Sequence, residues 1–162
     1  GRDSLAQAVR AAREHDPRVI IEAGVEGARE IECGVRQIPD GAIDTSQVAE
    51  ISVRDGHDFY DFAAKYVSNG ADLVVPANLP AEISDRVRET ARRCFVELGC
   101  EGLARVDFFV TDHDIVVNEV NTMPGFTPIS LYPRMWEASG VSYRELVDSL
   151  VREALARPPG LR

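Results

Sequence analysis

The sequence predicts an α+β fold, an antiparallel β-sheet flanked by helices. Strand-like and helix-like stretches mix without strict β-α-β alternation, which disfavours a parallel sheet. Arg29 to Gln37 alternates, with Ile31, Cys33 and Val35 on one face and Glu30, Glu32 and Gly34 on the other. Leu103 to Val110 and Ile115 to Asn121 flank a short polar loop, Thr111-Asp112-His113-Asp114, in the layout of a hairpin.

Taken in order, residues 3–15 place Leu5, Ala8, Val9 and Ala12 on one helical stripe, with Asp3 or Ser4 as cap, and Asp16-Pro17 ends the helix. Val19-Ile20-Ile21 is a short apolar run suited to a buried strand, and Gly24 to Gly27 is a flexible connection. After the half-buried strand 29–37, Pro39-Asp40-Gly41 turns the chain into a strand over about 42–51. Residues 52–78 read as a long irregular connection around the aromatic cluster Phe59 to Tyr66, a length that points to function. Ile83, Val87, Ala91, Phe95 and Leu98 give a helix over 80–98 with proline at its start and Gly99 at its end. After the hairpin, residues 122–128 form a Gly/Pro loop. Ser142-Tyr143-Arg144-Glu145 is a capping box opening a last helix through Leu146, Leu150, Ala154 and Leu155.

Composition narrows the classes of function. In 162 residues, 44% are hydrophobic and 28% charged, an ordinary globular balance that excludes disordered and collagen-like chains. No apolar run approaches the roughly 20 residues of a membrane span. A net charge of −9 disfavours nucleic acid and anionic membrane as partners. A small polyanion carried with a divalent metal is still permitted, because the ion inverts the local sign. Cys33, Cys94 and Cys100 are odd in number and lack CxxC spacing, so they read as buried thiols of a cytoplasmic protein. His15, His57 and His113 read as solvated, Met123, Met135 and Trp136 as packing, and Arg152 and Arg157 as helix-end charges.

The chemistry concentrates in Arg105-Val106-Asp107 and Asn118-Glu119-Val120-Asn121. Side chains alternate along a strand, so Arg105 shares a face with Asp107, and Glu119 with Asn121. A three-residue loop would set Asp107 opposite Glu119 and Arg105 opposite Asn121, with facing Cβ atoms about 5 Å apart. Two carboxylates so close need positive charge between them, and an added amide oxygen makes the set hard and suited to Mg²⁺. A two- or four-residue loop would turn the carboxylates to opposite faces unless a bulge restored the register.

Arg105-Val-Asp107-Phe-Phe, followed by Asn118-Glu119-Val-Asn121-Thr-Met-Pro-Gly125-Phe-Thr-Pro-Ile-Ser130, resembles the C-terminal signature of the D-alanine–D-alanine ligases of the ATP-grasp superfamily. Phe59 to Tyr66 resembles that family's mobile loop, and Ile21-Glu22 through Glu30 its adenine hinge. The resemblance runs nearly end to end. It implies an ATP-grasp C-terminal region, with residues 1–37 ending the central subdomain and carrying the hinge. Residues 38–162 would be the C-terminal subdomain, with mobile loop 52–78 and catalytic hairpin 103–121.

By the same resemblance, Asp107, Glu119 and Asn121 would hold two Mg²⁺ (or Mn²⁺) ions on the ATP phosphates, the γ-phosphoryl passing to a first D-alanine as an acyl phosphate. Arg105 and the Gly125 N–H would stabilise the tetrahedral oxyanion, and arginine is charged at any relevant pH. Lys65 would reach the phosphates when the loop closes, with Phe59 near the nucleotide. Tyr66 would lock the closed loop and favours D-alanine over D-lactate as second substrate. Ser130 and the Leu131 N–H would hold the second D-alanine's carboxylate. Glu22, Ala23 and Val25 would meet adenine, and Glu30 the ribose, although eight positions separate Glu22 from Glu30, one more than the pattern expects. The product implies a role in peptidoglycan precursor synthesis, and the family's habit adds a homodimer.

The family's N-terminal domain and upstream ATP-contacting lysines are not in this sequence, so it reads as roughly the C-terminal half of a ligase, inactive by itself. Two other readings stay open. One is an ATP-grasp ligase with a different second substrate; the other is a non-catalytic Mg-nucleotide-binding fragment.

Overall fold

The computed structural model describes residues 2–53, 71–127 and 129–157. Its elements are α1 (Arg2–Arg13), β1 (Arg29–Gln37), β2 (Ile43–Val53), β3 (Ala71–Val74), α2 (Ala81–Glu97), β4 (Leu103–Val110), β5 (Ile115–Asn121), α3 (Leu131–Ala138) and α4 (Tyr143–Ala156). The five strands form one sheet in the order β3-β2-β1-β4-β5, and every neighbouring pair is antiparallel. The predicted class and sheet hold.

Helix α2 covers one face of the sheet. Its buried Val87, Ala91 and Phe95 pack on Ile31, Cys33 and Val35 of β1 and on Val106 and Phe108 of β4. The end of α2 follows from Gly99, whose φ of 62° lets the chain reverse while the Gly99 and Cys100 N–H groups return to Val96 and Phe95. Helices α3 and α4 cover part of the other face, through Tyr132, Met135, Trp136 and Leu146 against Ala49 and Ile51. Ser142 caps α4 with the reciprocal bonds of a capping box, as the sequence predicts.

Four expectations change. Strand β1 is not half-buried: Ile31 through Arg36 are all buried, because it runs between β2 and β4 with helices on both sides. At Gly34 the fit is close. A Cβ there would lie 3.0 Å from Trp136 Nε1 and from Ser46 Oγ, so α3 reaches the sheet only over a bare backbone. Residues 19–21 are not a buried strand, and Ile20 and Ile21 are exposed; among the described residues they join no ladder. Strand β3 lies within the predicted irregular connection 52–78, and helix α3 in a stretch for which the sequence predicted no element.

Helix α3 carries Pro133, which reads as a breaker. Inside the first turn, though, a proline forfeits only an N–H that has no helical partner. Arg157 is more than a helix-end charge. It bonds Glu153 at 3.1 Å through Nε and Glu101 at 3.2 Å through Nη1, tying the end of α4 to the turn before β4.

Candidate functional site

The turn between β4 and β5 has four residues, the length that would send the two carboxylates apart. Val110 pairs with Ile115, Phe109 with Val116 and Phe108 with Val117, and then the register shifts by one. Asn118 is the extra residue. Beyond this bulge Asp107 faces Glu119 and Arg105 faces Asn121. On the other side of β4, Glu32 of β1 lies opposite Asp107, and Gly34 opposite Arg105. Glu32, Arg105, Asp107, Glu119 and Asn121 therefore share one face, the one on which α3 and α4 also pack.

Arg105 is the centre of the set. Its Nε donates to Asp107 Oδ1 and its Nη2 to Asp107 Oδ2, both at 2.7 Å, a two-pronged bond. Glu32 Oε2 lies 3.2 Å from Nε, and Glu119 Oε1 lies 3.8 Å from Nη2. These contacts engage Nε and Nη2; Nη1 takes no part in them. Arg105 and Glu32 are buried, at 6% and 3% exposure, while the Glu119 side chain is more than half exposed. Burial works against the guanidinium charge, but the Asp107 hydrogen bonds and the charges of Glu32, Asp107 and Glu119 outweigh it and raise its pKa.

Asn121 Oδ1 accepts from the Met123 N–H at 3.0 Å, which turns the chain out of β5 into the loop. Met123 points away from the core and is exposed, contrary to the packing role expected of it. Farther along, the Ser130 Oγ accepts from the Thr127 N–H at 3.1 Å and lies 2.8 Å from Thr127 Oγ1. Ser130 occupies the cap position of α3 without capping it through its side chain. A Cβ at Gly125 would come within 3.0 Å of Ser130 Oγ, so Gly125 keeps this loop closed on itself. The Leu131 N–H stands at the first turn of α3, among the amides that a helix leaves unpaired.

The remaining expected residues divide in two. Glu30 lies two positions before Glu32, on the same face, opposite Phe109 and Ile51. Glu22, Ala23 and Val25 lie in an exposed irregular segment before β1. Phe59, Lys65 and Tyr66, with their loop, lie outside the described residues. Glu32 is the residue of this face that sequence reasoning left out of the candidate set. Its alternation with Ile31 and Cys33 placed it on the opposite face from the core, which a half-buried strand would expose to water.

As a metal site the donor set is oxygen-only, two carboxylates and an amide, and its chemistry fits Mg²⁺. Among the described residues, however, no three His, Cys, Asp or Glu side chains converge on one point, and both Asp107 oxygens face Arg105. Each oxygen has a further lone pair for a cation. The arrangement suits an anion-stabilising arginine beside carboxylates able to take up a metal.

Residues 1–152 match the family model described as D-ala D-ala ligase C-terminus. A D-alanine–D-alanine ligase of Nocardia farcinica is 56% identical over 161 residues, covering 98% of this chain and 44% of the relative. One from Mycolicibacterium paratuberculosis is 57% identical over 164 residues, covering 99% and 44%. Among solved structures, the VanG D-Ala:D-Ser ligase of Enterococcus faecalis superposes with a TM-score of 0.81 at 38% identity, covering 93% of this chain and 43% of that one. The ATP complex of a D-alanine–D-alanine ligase from Bacillus anthracis does so with 0.77 at 30% identity, covering 96% and 47%. The chain thus spans under half the length of the relatives it matches.

Proposed function

The chain belongs to the D-alanine–D-alanine ligase C-terminal family, and from that premise we propose that its parent protein joins two D-alanines, driven by cleavage of ATP to ADP and phosphate. The observation that carries the reading is Arg105, buried and fixed by Asp107, opposite Asn121 and within 3.8 Å of the half-exposed Glu119. Such a group is poised to stabilise negative charge that develops in a transition state without reorganising to meet it.

In this reading a carboxylate oxygen of the first D-alanine takes the γ-phosphoryl group and ADP leaves. The amine of the second D-alanine attacks the acyl phosphate carbon, and phosphate departs as the amide forms. Arg105, with its Nη1 edge outside the carboxylate contacts, and the Gly125 N–H would hold the oxyanion. Bound Mg²⁺ would supply positive charge to the nucleotide phosphates, with Asp107, Glu119 and Asn121 as its protein oxygens. Ser130 and the Leu131 N–H would orient the second substrate's carboxylate. Glu30 would take the ribose, and Glu22, Ala23 and Val25 the adenine. Phe59, Lys65 and Tyr66 would act from the loop, which on closing would keep water from the acyl phosphate.

In this reading the product would serve peptidoglycan precursor synthesis, a cytoplasmic task. No helix among the described residues is long and apolar enough to cross a membrane. The division at residue 37 and a homodimer belong to the same reading, as does inactivity of the chain by itself. A second reading, with D-serine or D-lactate as second substrate, draws on the likeness to the D-Ala:D-Ser ligase. Competition assays on the full-length protein distinguish them: D-alanyl-D-alanine should form in preference when D-alanine, D-serine and D-lactate are present together. A mixed product dominating at neutral pH would overturn D-alanine as second substrate.

A further inference from the structure

We propose that Glu32 is a positioning residue for Arg105, an inference that rests on the reading of Arg105 as oxyanion holder. Three observations support it. Glu32 is 3% exposed and its Oε2 lies 3.2 Å from Arg105 Nε, so the two charges share one buried environment. It stands opposite Asp107 in the β1–β4 ladder, on the strand buried from both sides, which makes it the carboxylate of the set with the least freedom to move. Asp107 and Glu119 lie toward the open hairpin and are the carboxylates that a cation would draw upon.

A guanidinium held only by Asp107 would shift whenever Asp107 turned toward a metal. Glu32 gives Arg105 an anchor that does not take part in that exchange. The Nε–H itself goes to Asp107 Oδ1 at 2.7 Å, so Glu32 acts on Arg105 through its charge. The charge of Glu32 therefore acts through Arg105 and touches neither nucleotide nor substrate.

The test uses the full-length protein and the variants Glu32→Gln, Glu32→Asp, Arg105→Ala and the double variant Glu32→Gln/Arg105→Ala. Each is measured for kcat, KM for ATP and D-alanine, and thermal midpoint. Displacing a catalytic group by a fraction of an ångström to an ångström costs up to about 100-fold in rate. Glu32→Gln should therefore lower kcat by about 10- to 100-fold with both KM values within about twofold. Glu32→Asp keeps the charge but sets it back by one methylene, and should lower kcat in the same direction; it decides the matter if Glu32→Gln does not fold.

In the Arg105→Ala background Glu32→Gln should cost nothing further in kcat, because the residue acts through Arg105. A merely structural Glu32 would instead lower the thermal midpoint and leave kcat per folded molecule unchanged, which would overturn the inference. Full additivity in the double variant would also overturn it. Wild-type kcat in Arg105→Ala would sink the reading of Arg105 itself, and this inference with it.

Discussion

At Arg105, electrostatics decide the residue's state. A buried arginine is costly unless carboxylates surround it, and here Asp107, Glu32 and Glu119 do so at 2.7, 3.2 and 3.8 Å. Glu119→Gln trades a charge for an amide of the same shape on a half-exposed side chain, so the fold should survive. Mg²⁺-dependent nucleotide binding by the full-length protein should be lost, and unchanged affinity by calorimetry would refute the metal role. Cys33 offers a second test. Burial pushes its thiol up from 9.0 to about 12, and the neutral form is the one the core accepts. Its contribution to stability is intact below pH 9 and declines as the pH rises from 9 toward 12. The stability of the wild type relative to Cys33→Ala should fall across that window in alkaline denaturation curves, and a flat difference would contradict it.

At the level of elements, the capping box of α4 and the proline start and glycine end of α2 were legible in local patterns. Each is set by residues within a few positions. The bulge at Asn118 was not, since the loop could be two, three or four residues and only the bulge reconciles a four-residue turn with facing carboxylates. Strand β3 was hidden because its pairing partner lies far back, at 50–53 of β2. The burial of Glu32 was unreadable for the same kind of reason: only the sheet order shows that β1 has neighbours on both edges and helices over both faces. Gly34→Ala should cost about 1–3 kcal/mol, by pressing a methyl against Trp136, Ser46 and Tyr132. Chemical denaturation checks this, and a loss under about 0.5 kcal/mol would mean that α3 yields freely. Ser142→Ala should cost about 1 kcal/mol through the lost cap. The same capping bonds hold the Glu145 carboxyl below 4.5, so their contribution is present at neutral pH and fades as the pH drops beneath that value.

Across the whole molecule, the sheet connects what the sequence places apart. β1, which the proposed division at residue 37 assigns to the first part, is the central strand and bonds both β2 and β4. The site face takes Glu30 and Glu32 from β1, Arg105 and Asp107 from β4, and Glu119 and Asn121 from β5. A face so composed needs the sheet intact before it can bind anything. The chain covers 44% of the length of its Nocardia relative.

The most direct test of the central claim is D-alanine-dependent ADP release by the full-length protein, wild type against Arg105→Ala, with saturating ATP and Mg²⁺. Removing one oxyanion donor typically lowers the rate by about 10²–10³, so the wild type should turn over and the variant should fall by that factor. Equal rates for the two proteins would show that the Arg105 face is not where the ligation occurs.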